Sequence, residues 1–132
     1  MKEILIEESL LNEMIEHALE GSPEEVCGIV GGNDDRAEEI FRMTNVEHSP
    51  VSYFMDSMEQ FQVMKDLREK NLKMVAIYHS HPEAEAYPSS KDVSLAFYDD
   101  AAYIIISLIH DKPVVRAFMI REGRIDEVRI VG

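Results

Sequence analysis

The apolar positions of the chain alternate between two periods. A short apolar run covers Ile4 to Ile6, after which Leu10, Leu11, Met14, Ile15, Ala18 and Leu19 recur at helical spacing until Gly21. This spacing predicts a first strand and then a helix stopped by the glycine. "EEVCGIVGG" reads as a strand closing in Gly31-Gly32, and "EEIFRMTNV" as its antiparallel neighbour.

Asp56 and Glu59 resemble a capping box, and Met58, Phe61, Met64 and Leu67 outline one face of a second helix. "KMVAIY" is a buried strand running directly into His79. A third helix is expected from about Ser90 to Tyr98, with Val93 and Phe97 on one side. "AYIIISLI", "PVVRAFMI" and "IDEVRIV" follow as three strands, broken at His110 to Pro113 and at Glu122 to Arg124. The sum is an α/β sandwich on a mixed sheet, organised as a single domain over residues 1–132. No repeat, low-complexity tract or linker interrupts it.

Composition narrows the chemistry. The formal charge is −13, from 26 acidic and 13 basic residues, which disfavours nucleic acid and anionic membranes as partners. No run reaches the ~20 apolar residues of a membrane span, and the acidic start "MKEILIEE" lacks the basic and apolar regions of a signal peptide. A cytoplasmic protein is expected. The single cysteine, Cys27, excludes an internal disulfide and a Cys-rich zinc cluster, so a metal would need His and carboxylate ligands.

"YHSHPEAEAYPSSKD" offers that set. Side chains alternate along a strand, so His79 and His81 point the same way and Ser80 the opposite way. Asp92 lies in the first turn of the third helix, near enough along the chain to fold back over both rings. Two imidazole nitrogens and one carboxylate oxygen leave a fourth zinc position open, the pattern of a catalytic site. A purely structural reading also exists. Ser89 or Ser90 can cap the helix, and Asp92 suits its positive end.

"HSHPEAEAYPSSKD" resembles the motif of the JAMM metalloproteases, or MPN-plus domains: His-(Ser/Thr)-His-Pro, six residues, Ser, two residues, Asp. The fixed polar positions are His79, His81, Ser89 and Asp92. "PEEVCGIVGG" resembles the family's Glu-x-Cys-Gly strand, with Glu25 in the place of the catalytic glutamate. The similarity extends through the early helix, the "TNV" stretch and the strand leading to the histidines.

This resemblance implies an α-β-α sandwich on a mixed, mostly antiparallel sheet of the cytidine-deaminase-like kind. It implies one Zn2+ per chain on His79, His81 and Asp92, Glu25 as general base and Ser89 as an oxyanion donor. Taken by itself, Glu25 reads as an ordinary solvated carboxylate beside Glu24, and only the resemblance selects it. Strand alternation places Cys27 on the face of Glu25, but a cysteine there is more simply a small buried hydrophobe, and the family uses water as the remaining ligand. His17 and His48 read as exposed, His110 as a turn residue, and the eight methionines as core filler.

Small prokaryotic relatives act on sulfur-carrier or modifier proteins ending in Gly-Gly. The passage from Asp92 almost directly into "AYIIISLI" leaves no space for the long insertion of polyubiquitin-specific members. The implied activity is zinc-dependent hydrolysis of the peptide or isopeptide bond after the Gly-Gly end of a ubiquitin-like or sulfur-carrier protein. Two alternatives stand beside it: a non-catalytic scaffold of the MPN type, and a nucleic-acid-associated protein of the RadC type, whose His-x-His-Pro motif carries asparagine where this chain has Ser80.

Overall fold

Alternating apolar side chains in the central strands make two cores, one on each side of the sheet. The computed structural model describes residues 1–132. Its strands are β1 (Glu3–Leu5), β2 (Cys27–Asn33), β3 (Arg36–Met43), β4 (Lys73–His81), β5 (Ala102–Ser107), β6 (Val114–Arg121) and β7 (Arg124–Val131). Val30, Ala76, Tyr78, Ile104, Ile106, Ala117 and Met119 bury into one core. Their neighbours Ile29, Ile77, Tyr103, Ile105, Phe118 and Ile120 bury into the other.

Each core is covered by a helix. The helix α1 (Glu8–Gly21) adds Met14 and Ala18 to the first, with Leu10, Leu11 and Ile15 partly buried against it, while Leu19 remains 57% exposed. The helix α2 (Ser57–Glu69) starts at Asp56, whose carboxylate accepts the Glu59 amide at 2.9 Å; the expected box is only half formed, because the Glu59 carboxylate instead accepts the Thr44 amide and hydroxyl, both at 2.7 Å. Its packed stripe runs through Val63, Met64 and Leu67 on the second core. Met58 and Phe61 stand outside that stripe, 76% and 65% exposed, which corrects the expected face and takes Met58 out of the core.

The helix α3 (Ser90–Ser94) stops short of the expected Tyr98. Tyr98 donates its amide to the Tyr103 hydroxyl at 3.0 Å and accepts Gln60 Nε2 on its own hydroxyl at 3.0 Å. These tertiary bonds draw the chain off the helical path and leave Phe97 exposed rather than stacked below Val93.

The strand order β1-β3-β2-β4-β5-β6-β7 closes on itself. β4 pairs parallel with β5, and β1 pairs parallel with both β3 and β7; the other four pairings are antiparallel. The α/β class and the mixed, mostly antiparallel sheet agree with expectation. The open sandwich is corrected to a closed barrel, because three-residue β1 bridges the two edges that a sandwich leaves free. No helix is long and apolar enough to cross a membrane.

Two glycines are needed for close approach. β2 shifts register against β4 between Val30 and Gly31, and against β3 between Gly31 and Gly32; a side chain at Gly32 would meet the Arg36 carbonyl oxygen at 1.8 Å. Gly28 lies opposite Tyr78, and a Cβ there would fall 2.0 Å from the ring's Cε1. The Tyr78 ring cannot swing away freely, since its hydroxyl lies 2.6 Å from His17 Nδ1. Gly28→Ala is therefore expected to lower the free energy of unfolding by about 1–3 kcal/mol, the ordinary cost of overpacking. Urea denaturation measures this, and unchanged stability would show that the ring moves aside without cost.

Candidate metal centre

The end of β4 turns His79 and His81 to one side and Ser80 to the other, and all three are buried. The following loop is fastened to β5: Leu108 donates its amide to the His81 carbonyl at 3.1 Å, and the Ser107 hydroxyl donates to the Ala84 carbonyl at 2.6 Å. The chain thus returns over the histidines and enters α3. Ser89 caps that helix with a reciprocal pair. Its hydroxyl accepts the Asp92 amide at 3.1 Å, and its own amide donates to Asp92 Oδ2 at 2.9 Å.

Asp92 Oδ2 then lies 3.2 Å from His79 Nε2 and 3.0 Å from His81 Nε2, with the two nitrogens 3.0 Å apart. The Glu85 carbonyl lies 2.7 Å from His81 Nδ1 and can only accept, so Nδ1 carries a proton and Nε2 is the nitrogen left to face Asp92 and His79. Tyr53 stacks on His79 at 4.5 Å between ring centroids and fixes the plane of the second ring.

The three atoms form a group able to hold a metal ion. A tetrahedron with zinc bonds of about 2.0–2.1 Å has edges of about 3.3 Å, close to the observed triangle. The donor chemistry also fits, because two imidazole nitrogens and a carboxylate oxygen converging on one point are ligands that a single cation can bring together. Burial lowers the pKa of His79, keeping it neutral. Burial acts the same way on His81, but hydrogen bonds to Asp92 and Glu85 outweigh it and raise the value. Asp92 is raised by burial, yet its bonds to both histidines and the Ser89 amide hold it well below the usual carboxylate range.

Glu25 lies just before β2 rather than within it, which corrects the expected start of that strand. Its backbone is held from both sides: the amide donates to the Ser49 carbonyl at 2.8 Å, and the carbonyl accepts Asn45 Nδ2 at 3.0 Å. The next residue, Val26, donates to the Ser80 hydroxyl at 2.8 Å and accepts the Ser80 amide at 3.0 Å. Glu25 is 4% exposed as a residue, and its buried Oε1 lacks any partner. Burial raises its pKa to about 8, against the lowering influence of His81 and with the raising influence of Asp92.

Spacing along the chain does not reveal Tyr53, Asn45 or the role of Ser80, since their partners come from distant segments. Cys27 belongs to the second core and is fully buried, with its thiol pushed up to about 12 by burial; it is not in the metal group. His17 is half-buried against Tyr78, contrary to expectation, and burial lowers its pKa to about 4. His48 is exposed beside Glu24, and His110 pairs with Glu85 at 2.9 Å.

A barrel-end cluster of two histidines and one aspartate beside a buried glutamate defines an α/β protein with a candidate metal centre. The family model described as prokaryotic homologs of the JAB domain matches residues 7–121, and the chain belongs to that family, the small prokaryotic branch of the JAMM/MPN proteins. The CysO-cysteine peptidase of Mycobacterium tuberculosis is 39% identical over 127 residues, covering 94% of this chain and 87% of the relative. A probable TtuB-protein conjugate cleaving protease of Thermus thermophilus is 32% identical, covering 97% and 82%. The solution structure of protein DSY2949 from Desulfitobacterium hafniense superposes with a TM-score of 0.87 at 38% identity, covering 97% and 91%.

Proposed function

We propose that residues 1–132 form one zinc-dependent hydrolase domain, working in the cytoplasm. It cleaves the peptide or isopeptide bond after the Gly-Gly end of a ubiquitin-like modifier or sulfur-carrier protein. The observation that carries this reading is the convergence of His79, His81 and Asp92 beside buried Glu25. The substrate class follows from the similarity to a CysO-cysteine peptidase and a TtuB-protein conjugate cleaving protease.

His79 Nε2, His81 Nε2 and Asp92 Oδ2 would hold the ion. Zinc, when bound there, supplies a Lewis acid that polarises the scissile carbonyl and makes water a stronger acid. Glu25 takes the proton of the attacking water and passes it to the leaving amine. A carboxyl whose burial brings its pKa near neutrality suits that exchange in both directions. Ser89 uses its oxygen to accept the Asp92 amide, which leaves its O–H free to donate to the developing oxyanion. A non-catalytic scaffold gives no reason to bury Glu25 beside the cluster, and the −13 charge counts against a nucleic-acid partner.

The metal assignment is tested by elemental analysis of purified protein. One zinc per chain is expected in the wild type, and its loss in a His79→Ala, His81→Ala double variant; equal content in the two would refute the ligand set.

Activity is read on a CysO-cysteine adduct and a TtuB-protein conjugate. Glu25→Gln should fold, keep its metal and lose at least ~100-fold in kcat, the low end for lost general acid–base catalysis. Glu24→Gln is the control and should stay active, because Glu24 pairs with His48 at the surface.

Ser89→Ala separates cap from catalyst. Loss of a cap alone costs about 0.5–2 kcal/mol of stability and leaves kcat intact, whereas loss of an oxyanion donor lowers kcat by ~100-fold or more. The second outcome is expected, and a folded variant with wild-type turnover would reduce Ser89 to a cap.

A further inference from the structure

Asn45 follows β3 and has one buried side chain with every hydrogen-bonding position in use. Nδ2 donates to the carbonyls of Glu25 and Ser52, both at 3.0 Å, and Oδ1 accepts the amides of Glu47 at 3.0 Å and Phe54 at 3.1 Å. Two of these partners, Ser52 and Phe54, bracket Tyr53, whose ring stacks on His79. A third is the backbone of Glu25 itself.

The segment from Thr44 to Asp56 is a loop pinched at its neck. Val46 donates to the Phe54 carbonyl at 2.9 Å, Asp56 donates to the Thr44 carbonyl at 3.1 Å, and Asn45 bridges to Met55. These neck bonds close the loop on itself but make no connection to Glu25. The connections are the Asn45 amide to the Glu25 carbonyl and the Glu25 amide to the Ser49 carbonyl, and only the first comes from a side chain.

We infer that Asn45 is a positioning residue for the hydrolysis: it ties the Glu25 backbone to the loop that carries Tyr53, so that the base and the His79 ring keep one fixed relation. This rests on the assignment of Glu25 as general base. Asn45 touches neither the metal ligands nor the reacting atoms and acts through Glu25. An amide is suited to the task, because two donors and two acceptor lone pairs on one flat group match two carbonyls and two amides.

Asn45→Asp keeps the shape and the acceptor oxygen but removes both donors, setting a carboxylate oxygen against the Glu25 and Ser52 carbonyls. On the CysO-cysteine adduct or the TtuB-protein conjugate, kcat should fall about 100-fold, the cost of a displacement of about 1 Å in a reacting group, with KM changed about 2-fold or less. Zinc content should remain that of the wild type. In a Glu25→Gln background the same substitution should change kcat by about 2-fold or less, because a misplaced base that is already absent costs nothing more.

Asn45→Ser introduces no buried charge and is read in the same way where Asn45→Asp fails to fold. Wild-type kcat in a folded, metal-loaded variant would overturn the inference. So would a full, multiplicative loss in the Glu25→Gln background, which would mark Asn45 as a general structural residue. If Glu25→Gln alone retains full activity, the assignment of the base fails and the positioning role fails with it. An inactive Glu25→Gln with an additive Asn45 effect removes the positioning role alone.

Discussion

Ser80 donates its amide to the Val26 carbonyl at 3.0 Å and accepts the Val26 amide on its hydroxyl at 2.8 Å. This pair extends the β2–β4 ladder one step past Cys27 opposite His79, where β2 has already ended. Strand alternation then does the rest. With Ser80 turned toward the Glu25 segment, His79 and His81 both turn to the other side, and the side chain of Glu25 is delivered next to them without belonging to a regular strand. A serine in the middle of His-Ser-His is therefore a joint between two segments that are 54 positions apart.

The cluster depends on hydrogen bonds made outside it. The Glu85 carbonyl selects the His81 tautomer, the Ser89 amide orients Asp92 Oδ2, and Tyr53 fixes the plane of His79. Each inward atom is consequently held in place before any ion arrives, and the cost of orienting it is met by folding rather than by binding. The reciprocal cap at Ser89 serves both ends of this arrangement. It starts α3, and it presents Asp92 at a fixed depth.

The candidate ligands were legible because they sit on short-range spacing: a period of two along β4 and one capped helical turn place His79, His81 and Asp92 within 14 residues. The barrel strands were legible from alternation in the same way. What escaped depends on long-range pairing. Barrel closure rests on three-residue β1, whose parallel bonds to β3 and β7 are made by backbone and leave no trace in side-chain pattern. The true face of α2, the burial of His17 under Tyr78, the early end of α3 at the Gln60–Tyr98 bond, and the clamp at Asn45 are all decided by partners far away in the chain. Glu25 lies between the two cases, since nothing local separates it from Glu24, and it was selected by resemblance to a family strand that here begins two residues later.

Two buried side-chain atoms have no hydrogen-bond partner in the protein, Glu25 Oε1 and His79 Nδ1, and both belong to this site. An unsatisfied buried polar group costs about 1–3 kcal/mol, and folds elsewhere avoid that cost. The rest of this fold does avoid it: Asn45 uses all four of its hydrogen-bonding positions, Ser80 and Ser107 are both paired, and the Tyr78 hydroxyl is paired with His17. Exceptions confined to one place argue that the place is kept for something other than stability. A carboxyl oxygen aimed at solvent would be cheaper to fold but would exchange its proton with bulk water at an ordinary carboxylate pKa. With Oε1 buried near His81 and Asp92, Glu25 has its pKa raised to about 8, close to the range in which the base proposed above would take up and release a proton.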